Sequence, residues 1–340
     1  MKRFFSLVIF FCLLLCSCVQ QNPRQETEQA PAAVEDPYSA SQWGGSAIHI
    51  ESAWQRGLTG EGVTVAIIDT GVDSSHEDLQ GAKILPGRNF SGCGGETDVG
   101  DQVGHGTFVA GILAAQCGNQ LGIAGLAEDV SILPIKCMEE ATGASLSAVI
   151  SSVEYAVEQN ADILILSLGM LTPAPELEQA LQKAADRNVL IFAAVGNEGG
   201  NELYYPAAYD CVVGVGSVTE SLKHASGSQV NQSVFVTAPG KSIFGPWTGE
   251  MAEVVSTDGG GYRRATGTSF AVPYAAAMGV IAKQIVPDIS AAEFQQLLQD
   301  SCLDLGEQGY DIEFGWGLVQ ADLLLDKLDK LPDSYNKTEK

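Results

Sequence analysis

Four polar residues stand out by their types and settings. Ser269 lies in Gly267-Thr268-Ser269-Phe270-Ala271-Val272-Pro273, ahead of the apolar run 275–282. A serine at the start of a buried helix meets unpaired backbone N–H groups and the positive end of the helix dipole. To act as a nucleophile it needs a base and an acid that orients the base. His105 lies in Gly104-His105-Gly106-Thr107, where flanking glycines leave an imidazole unshielded. Asp69 ends the apolar run Ile67-Ile68, and Asn197 follows another in Val195-Gly196-Asn197-Glu198-Gly199. Taken singly, these are a helix cap, a helix-start histidine, a strand-end aspartate and a Gly-Asn turn. Taken together, they supply a nucleophile, a base, an orienting carboxylate and an amide donor for an oxyanion. That set performs acyl transfer. The other histidines, His49, His76 and His224, sit in polar or turn-like contexts.

The elements that must hold these residues alternate along the chain. The run 63–68 is short and continuously apolar, as in a strand buried on both faces. Helical patterns at 107–116, 145–159, 176–187 and 291–300 alternate with strand patterns at 130–136, 162–168, 189–195, 212–218 and 234–238. The buried helix from Ser269 follows the last of these strands. Such alternation predicts an α/β domain with a mainly parallel central sheet and helices on both faces. Each chemical residue then falls at a strand end or helix start, where ligands bind in open α/β sheets. No linker divides the domain.

Composition narrows the function classes. The chain has 340 residues, with 18 Lys and Arg against 42 Asp and Glu, for a net charge of −24. No basic face for nucleic acid is expected from that balance. Residues 1–17 read as a signal peptide, with Lys2 and Arg3 before an apolar run too short for a comfortable membrane span. The junction Leu15-Cys16-Ser17-Cys18 resembles a bacterial lipoprotein signal, which implies that Cys18 is lipidated and that the protein is exported and membrane-anchored. Residues 18–41 then read as a polar, disordered tether. With Cys18 modified, Cys93, Cys117, Cys137, Cys211 and Cys302 remain, an odd number that leaves at least one thiol unpaired.

Asp-Thr-Gly at 69, His-Gly-Thr at 105, Gly-Asn at 196 and Gly-Thr-Ser-x-Ala-x-Pro from 267 resemble, in this order, the subtilisin-like serine peptidases. Gln42-Trp43-Gly44, Ser167-Leu168-Gly169, Tyr205-Pro206, Ala238-Pro239-Gly240 and Gly315-Trp316-Gly317 fit as well. The resemblance covers a peptidase domain at 42–325, followed by a polar tail at 326–340. It implies the subtilisin-like three-layer fold and a serine endopeptidase that cleaves peptide or protein substrates. Asp69, His105 and Ser269 would be the triad, and Asn197 an oxyanion donor. Ser167, Leu168 and Gly169 would pair with the substrate backbone, facing a wall of Ala194, Val195 and Gly196. Tyr204 would form the base of the specificity pocket, where the family often has glycine, and would favour small or medium residues. No cofactor is required, although Asp78 and Asn119 mark a candidate structural calcium site. Phe108 and Tyr274 stand where the family often has histidine. The stretch 241–264 is longer than in compact members and is expected to form a loop.

Two other readings compete. A catalytically inactive binding protein could keep the fold. A nucleotide-binding enzyme is disfavoured because Asp69-Thr70-Gly71 stands where a Gly-x-Gly-x-x-Gly turn would be needed. The protein is expected to act as a monomer. The polar stretch 19–41 is too short for a folded inhibitory prodomain, so activation without self-cleavage is expected.

Overall fold

The computed structural model describes residues 36–139, 143–249 and 261–332. Cys18, most of the expected tether and the end of the polar tail lie outside the described residues.

The main sheet is built from β1 (Thr64–Asp69), β2 (Lys83–Ile84), β3 (Arg88–Asn89), β4 (Ser131–Lys136), β5 (Ile163–Leu166), β6 (Leu190–Ala194), β7 (Val213–Val218), β8 (Val236–Pro239) and two short strands near the chain end. Its order is β11-β12-β8-β7-β6-β5-β1-β4-β2, where β11 is Cys302–Leu303 and β12 is Leu318–Val319. The β11–β12 pair is antiparallel; the other pairs are parallel.

Strand periodicity divides the core in two. Val65 and Ile67 of β1 face one side, with α3 (His105–Ala114) and α6 (Thr268–Ile285). Ala66 and Ile68 face the other, with α4 (Leu146–Glu158) and α5 (Pro175–Ala185). The same split recurs in β5, where Ile163 and Ile165 oppose Leu164 and Leu166. A strand buried on both faces leaves only its ends available for chemistry. Helix ends are set locally. Ser145 caps α4 by accepting the Ala148 N–H, and Ser290 and Glu293 form a capping box on α7 (Ala291–Gln299).

Three expectations are corrected. Residues 36–41, assigned to the tether, pack on the domain. Asp36 is buried and its carboxylate accepts the N–H groups of Gly118 and Gln120. The stretch 241–264 is not simply a loop, because β9 (Ile243–Pro246) pairs with β10 (Tyr262–Ala265) as an antiparallel hairpin. Helix α8 (Ala321–Leu328) runs past residue 325, because Leu328 is 4% exposed and belongs to the core. Among the described residues no helix is long and apolar enough to cross a membrane.

Candidate active site

β1 lies between β4 and β5, and carries Asp69 at its carboxyl end, fully buried. One Asp69 oxygen accepts the Thr70 N–H at 2.7 Å. His105 opens α3, and its Nδ1 lies 2.8 and 2.9 Å from the two Asp69 oxygens. Gly104 makes the preceding turn at φ 100°, a left-handed conformation that glycine adopts without strain. Gly106 has no room for a Cβ, because the Gly71 carbonyl presses against it.

Asp101 fixes this helix start. Its Oδ1 accepts the Val103 and Gly104 N–H groups at 2.9 Å, and its Oδ2 accepts from Thr107 N and Oγ1 at 2.9 and 2.7 Å. Burial alone would lower the His105 pKa. The Asp69 carboxylate outweighs it, Asp101 adds to the effect, and the pKa is raised above the usual 6.5.

Ser269 is the second residue of α6. Its Oγ donates to the Ser167 carbonyl at 3.2 Å, and Ser167 Oγ donates to the Ser269 carbonyl at 3.0 Å. The second bond answers a local defect. Pro273 lacks the N–H that would bond the Ser269 carbonyl four residues earlier, and the Ser167 hydroxyl replaces it. The ring of Phe270, next to Ser269, sits 5.3 Å from that of His105.

Asn197 extends from the end of β6. Its side chain accepts from Thr268 N at 2.8 Å and from Thr268 Oγ1 at 3.1 Å. A backbone N–H can only donate, so the atom facing it must be Oδ1. The amide nitrogen is therefore left to donate beside Ser269.

The sequence profile of the subtilase family matches residues 60–317. Subtilisin Savinase of Lederbergia lenta is 34% identical over 283 residues, covering 82% of this chain and 97% of that one. The chain belongs to the subtilase family. Like Savinase, the major intracellular serine protease of Bacillus subtilis is similar: 37% identical over 256 residues, 73% of this subtilase and 75% of the relative. The minor extracellular protease Epr of the same organism is 34% identical over 280 residues, but this subtilase spans only 41% of its length. A protease of Pseudoalteromonas arctica shares the fold with a TM-score of 0.77 and 24% identity, covering 87% of this chain and all (100%) of that one. The psychrophilic protease Apa1 of Pseudoalteromonas sp. AS-11 gives 0.74 and 21%, covering 85% of this chain and 98% of that one. This subtilase is a serine endopeptidase with the three-layer α/β fold of its family.

On one side of Ser269, residues 167–169 follow β5 and residues 194–196 close β6, its parallel neighbour. Ala194 and Val195 turn their side chains into the core, at 5% and 0% exposure, so they can offer only backbone to a ligand. The Tyr204 ring lies between the two segments. A Cβ on Gly169 would stand 3.2 Å from it, and one on Gly196 2.7 Å. Burial, a hydrogen bond with Glu198 and the charges of Glu198 and Glu202 raise the Tyr204 pKa. Phe108 is buried against Phe270, with ring centroids 4.6 Å apart, and Tyr274 fills the space over Gly44. Both are packing residues at positions where the family often has histidine.

Asp78 and Asn119 both bond to the backbone of one tight loop that follows α3. Both Asp78 oxygens accept the Ile123 N–H, at 3.2 and 3.3 Å, and Asn119 Oδ1 accepts the Leu121 N–H at 2.7 Å. Carboxylate and amide oxygens suit calcium in type, yet here each answers a backbone donor of the loop. Burial, reinforced by the nearby Glu77 and Asp36 charges, pushes the Asp78 pKa up to about 7. The five cysteines from Cys93 to Cys302 are free thiols. Burial pushes Cys117 up to about 12 and Cys211 up to about 11, so neither is an activated thiolate.

Sequence reasoning gave no role to Asp101, Thr268 or Glu198. Asp101 was detectable as an acidic cap ahead of a helix start. Thr268 was not, because its partner Asn197 is 71 residues away.

Proposed function

We propose that Asp69, His105 and Ser269 are the catalytic triad and that Asn197 donates to the oxyanion. The observation that carries this reading is the paired contact of His105 Nδ1 with both Asp69 oxygens, at 2.8 and 2.9 Å. That contact leaves Nε2 as the proton acceptor. Ser269 Oγ turns from the Ser167 carbonyl, passes its proton to Nε2 and attacks the scissile carbonyl. The buried Asp69 supports the imidazolium. The developing oxyanion takes hydrogen bonds from the Asn197 amide and the Ser269 N–H. His105 then gives its proton to the departing amine, and water reverses the steps to release the acyl group. A fluorophosphonate should modify Ser269, read by peptide mass mapping; no modification there would reject the triad.

Substrate backbone pairs with residues 167–169 in the manner of an added strand. Residues 194–196 form the facing wall. With its ring between Gly169 and Gly196, Tyr204 makes the pocket shallow and favours small or medium side chains before the scissile bond. Tyr204→Gly should shift the preference towards aromatic residues, read by mass spectrometry of a digested peptide library. Efficient wild-type cleavage after Phe would reject this role.

Export and anchoring through a lipid on Cys18 form a separate part of the proposal, supported by the junction Leu15-Cys16-Ser17-Cys18. The name of one relative, the minor extracellular protease Epr, fits an exported enzyme. Cys18→Ser should move the protein from the membrane to the soluble fraction; retention after a high-salt wash would reject the anchor. The domain acts as a monomer on peptide or protein substrates.

No cofactor enters this mechanism. The oxygens of Asp78 and Asn119 already accept loop N–H groups, which leaves them less to gain from a calcium ion. Thermal unfolding in calcium and in a chelator should therefore give the same Tm. A ligand present at 100 times its Kd would stabilise by about 2.7 kcal/mol, so a rise of several degrees in calcium would establish the site.

A further inference from the structure

One cation near the site has no part in the chemistry above. On one face of the β9–β10 hairpin Tyr262 stacks on Phe244, with Arg264 over the same ring. The other face meets α3, where Gly245 seats against Phe108. Arg263 is on this side, with its guanidinium 4.0 Å from the centre of the Trp247 ring. Trp247 is only 6% exposed, and a Cβ on Gly104 would lie 2.6 Å from it. The indole thus presses on the residue just before His105. Ring contacts continue from Trp247 to Phe108 at 5.9 Å, to Phe270 at 4.6 Å and to His105 at 5.3 Å.

Arg263 is half-buried and under-satisfied. Among the described residues its Nε is buried without an acceptor, and Trp247 Nε1 is in the same state. Arg263 joins none of the ion pairs found among the described residues. Burial pulls its pKa down. A guanidinium removed from water without a counter-ion raises the energy of the free protein. An incoming carboxylate relieves that cost and can take two parallel hydrogen bonds from a fork already oriented by stacking.

The hairpin also fixes which half of a substrate meets this cation. Residues 167–169 and 194–196, which follow β5 and β6, are assigned to the acyl half. Trp247 and Arg263 instead flank the helix of His105, the group that protonates the departing amine. We propose that Arg263, held over Trp247, selects an acidic side chain among the first three residues on the leaving-group side of the scissile bond. This rests on the triad assignment above.

The test uses peptides identical on the acyl side, with Glu, Gln or Lys at each of the three following positions. The wild type should cleave the Glu peptide about 10-fold better than its Gln counterpart at one position, mainly through KM, as expected for about 1.4 kcal/mol of added binding. Lys there should be worst, and salt should weaken the preference. Arg263→Gln and Arg263→Met, the second keeping the apolar stem, should bring the Glu to Gln ratio close to one while the neutral peptide is cleaved as before. A wild type with no Glu preference at any position, or a variant that keeps it, would overturn the proposal. Failure of the triad reading looks different: the wild type would not be labelled at Ser269 by a fluorophosphonate.

Discussion

Replacing Ser269 with alanine should abolish peptidase activity while leaving the fold intact. The change removes one hydroxyl from a side chain that is 8% exposed. It costs the donor to the Ser167 carbonyl, but that carbonyl is not Ser269's only link to the segment. The reverse bond, from Ser167 Oγ to the Ser269 carbonyl, uses the backbone and survives. Losing one neutral hydrogen bond costs about 1 kcal/mol. The effect on kcat should be about 10⁶-fold, the loss known for the same change in subtilisin itself rather than a value derived from these distances. Peptide hydrolysis measured beside a thermal melt separates the two effects. Wild-type turnover in this variant would end the assignment. A large fall in Tm would mean that the serine also holds the helix in place.

Asn197→Ala should lower kcat about 10²–10³-fold with KM little changed, again a magnitude taken from subtilisin. The physical argument is local. Thr268 fixes the amide from one side through two bonds to Oδ1, at 2.8 and 3.1 Å. The remaining donor is therefore oriented before substrate arrives, and it gains most when negative charge develops on the attacked oxygen. Alanine removes that donor and also leaves Thr268 N, in a fully buried residue, without its acceptor, so a loss of about 1 kcal/mol or more in stability should accompany the kinetic effect. Steady-state kinetics on one peptide decide the matter. An unchanged kcat would assign the oxyanion to other donors, and a raised KM at constant kcat would make Asn197 a ground-state contact.

What the sequence reveals follows from how locally each feature is encoded. β1 is legible because four successive residues of alternating destination, Val65 and Ile67 against Ala66 and Ile68, must all be apolar. His105 is legible because glycines bracket it, and Asp69 because it ends the apolar run Ile67-Ile68 just before the Thr70-Gly71 turn. The β9–β10 hairpin is not, since Ile243–Pro246 and Tyr262–Ala265 are four residues each, contain proline, glycine and two arginines, and take their register from α3 beneath them. Asp36 is equally silent. Nothing near it in the chain indicates that its carboxylate will meet a loop 82 residues later. Tyr204 is notable only through the family resemblance, because its place between Gly169 and Gly196 is set by two separate connections, one after β5 and one after β6.

The late position of Ser269 has a consequence in time. Asp69 and His105 come early in the chain, and the helix that brings the serine follows β8. That same helix covers β5, β6, β7 and β8 on one face of the sheet. A chain emerging N-terminus first from synthesis therefore carries the proposed acid and base with nothing to activate. Its sheet also lacks the layer that would hold it shut. The nucleophile and the missing layer arrive in one piece, so hydrolytic competence and a closed core begin at the same moment. A half-made chain has no nucleophile with which to cut its neighbours.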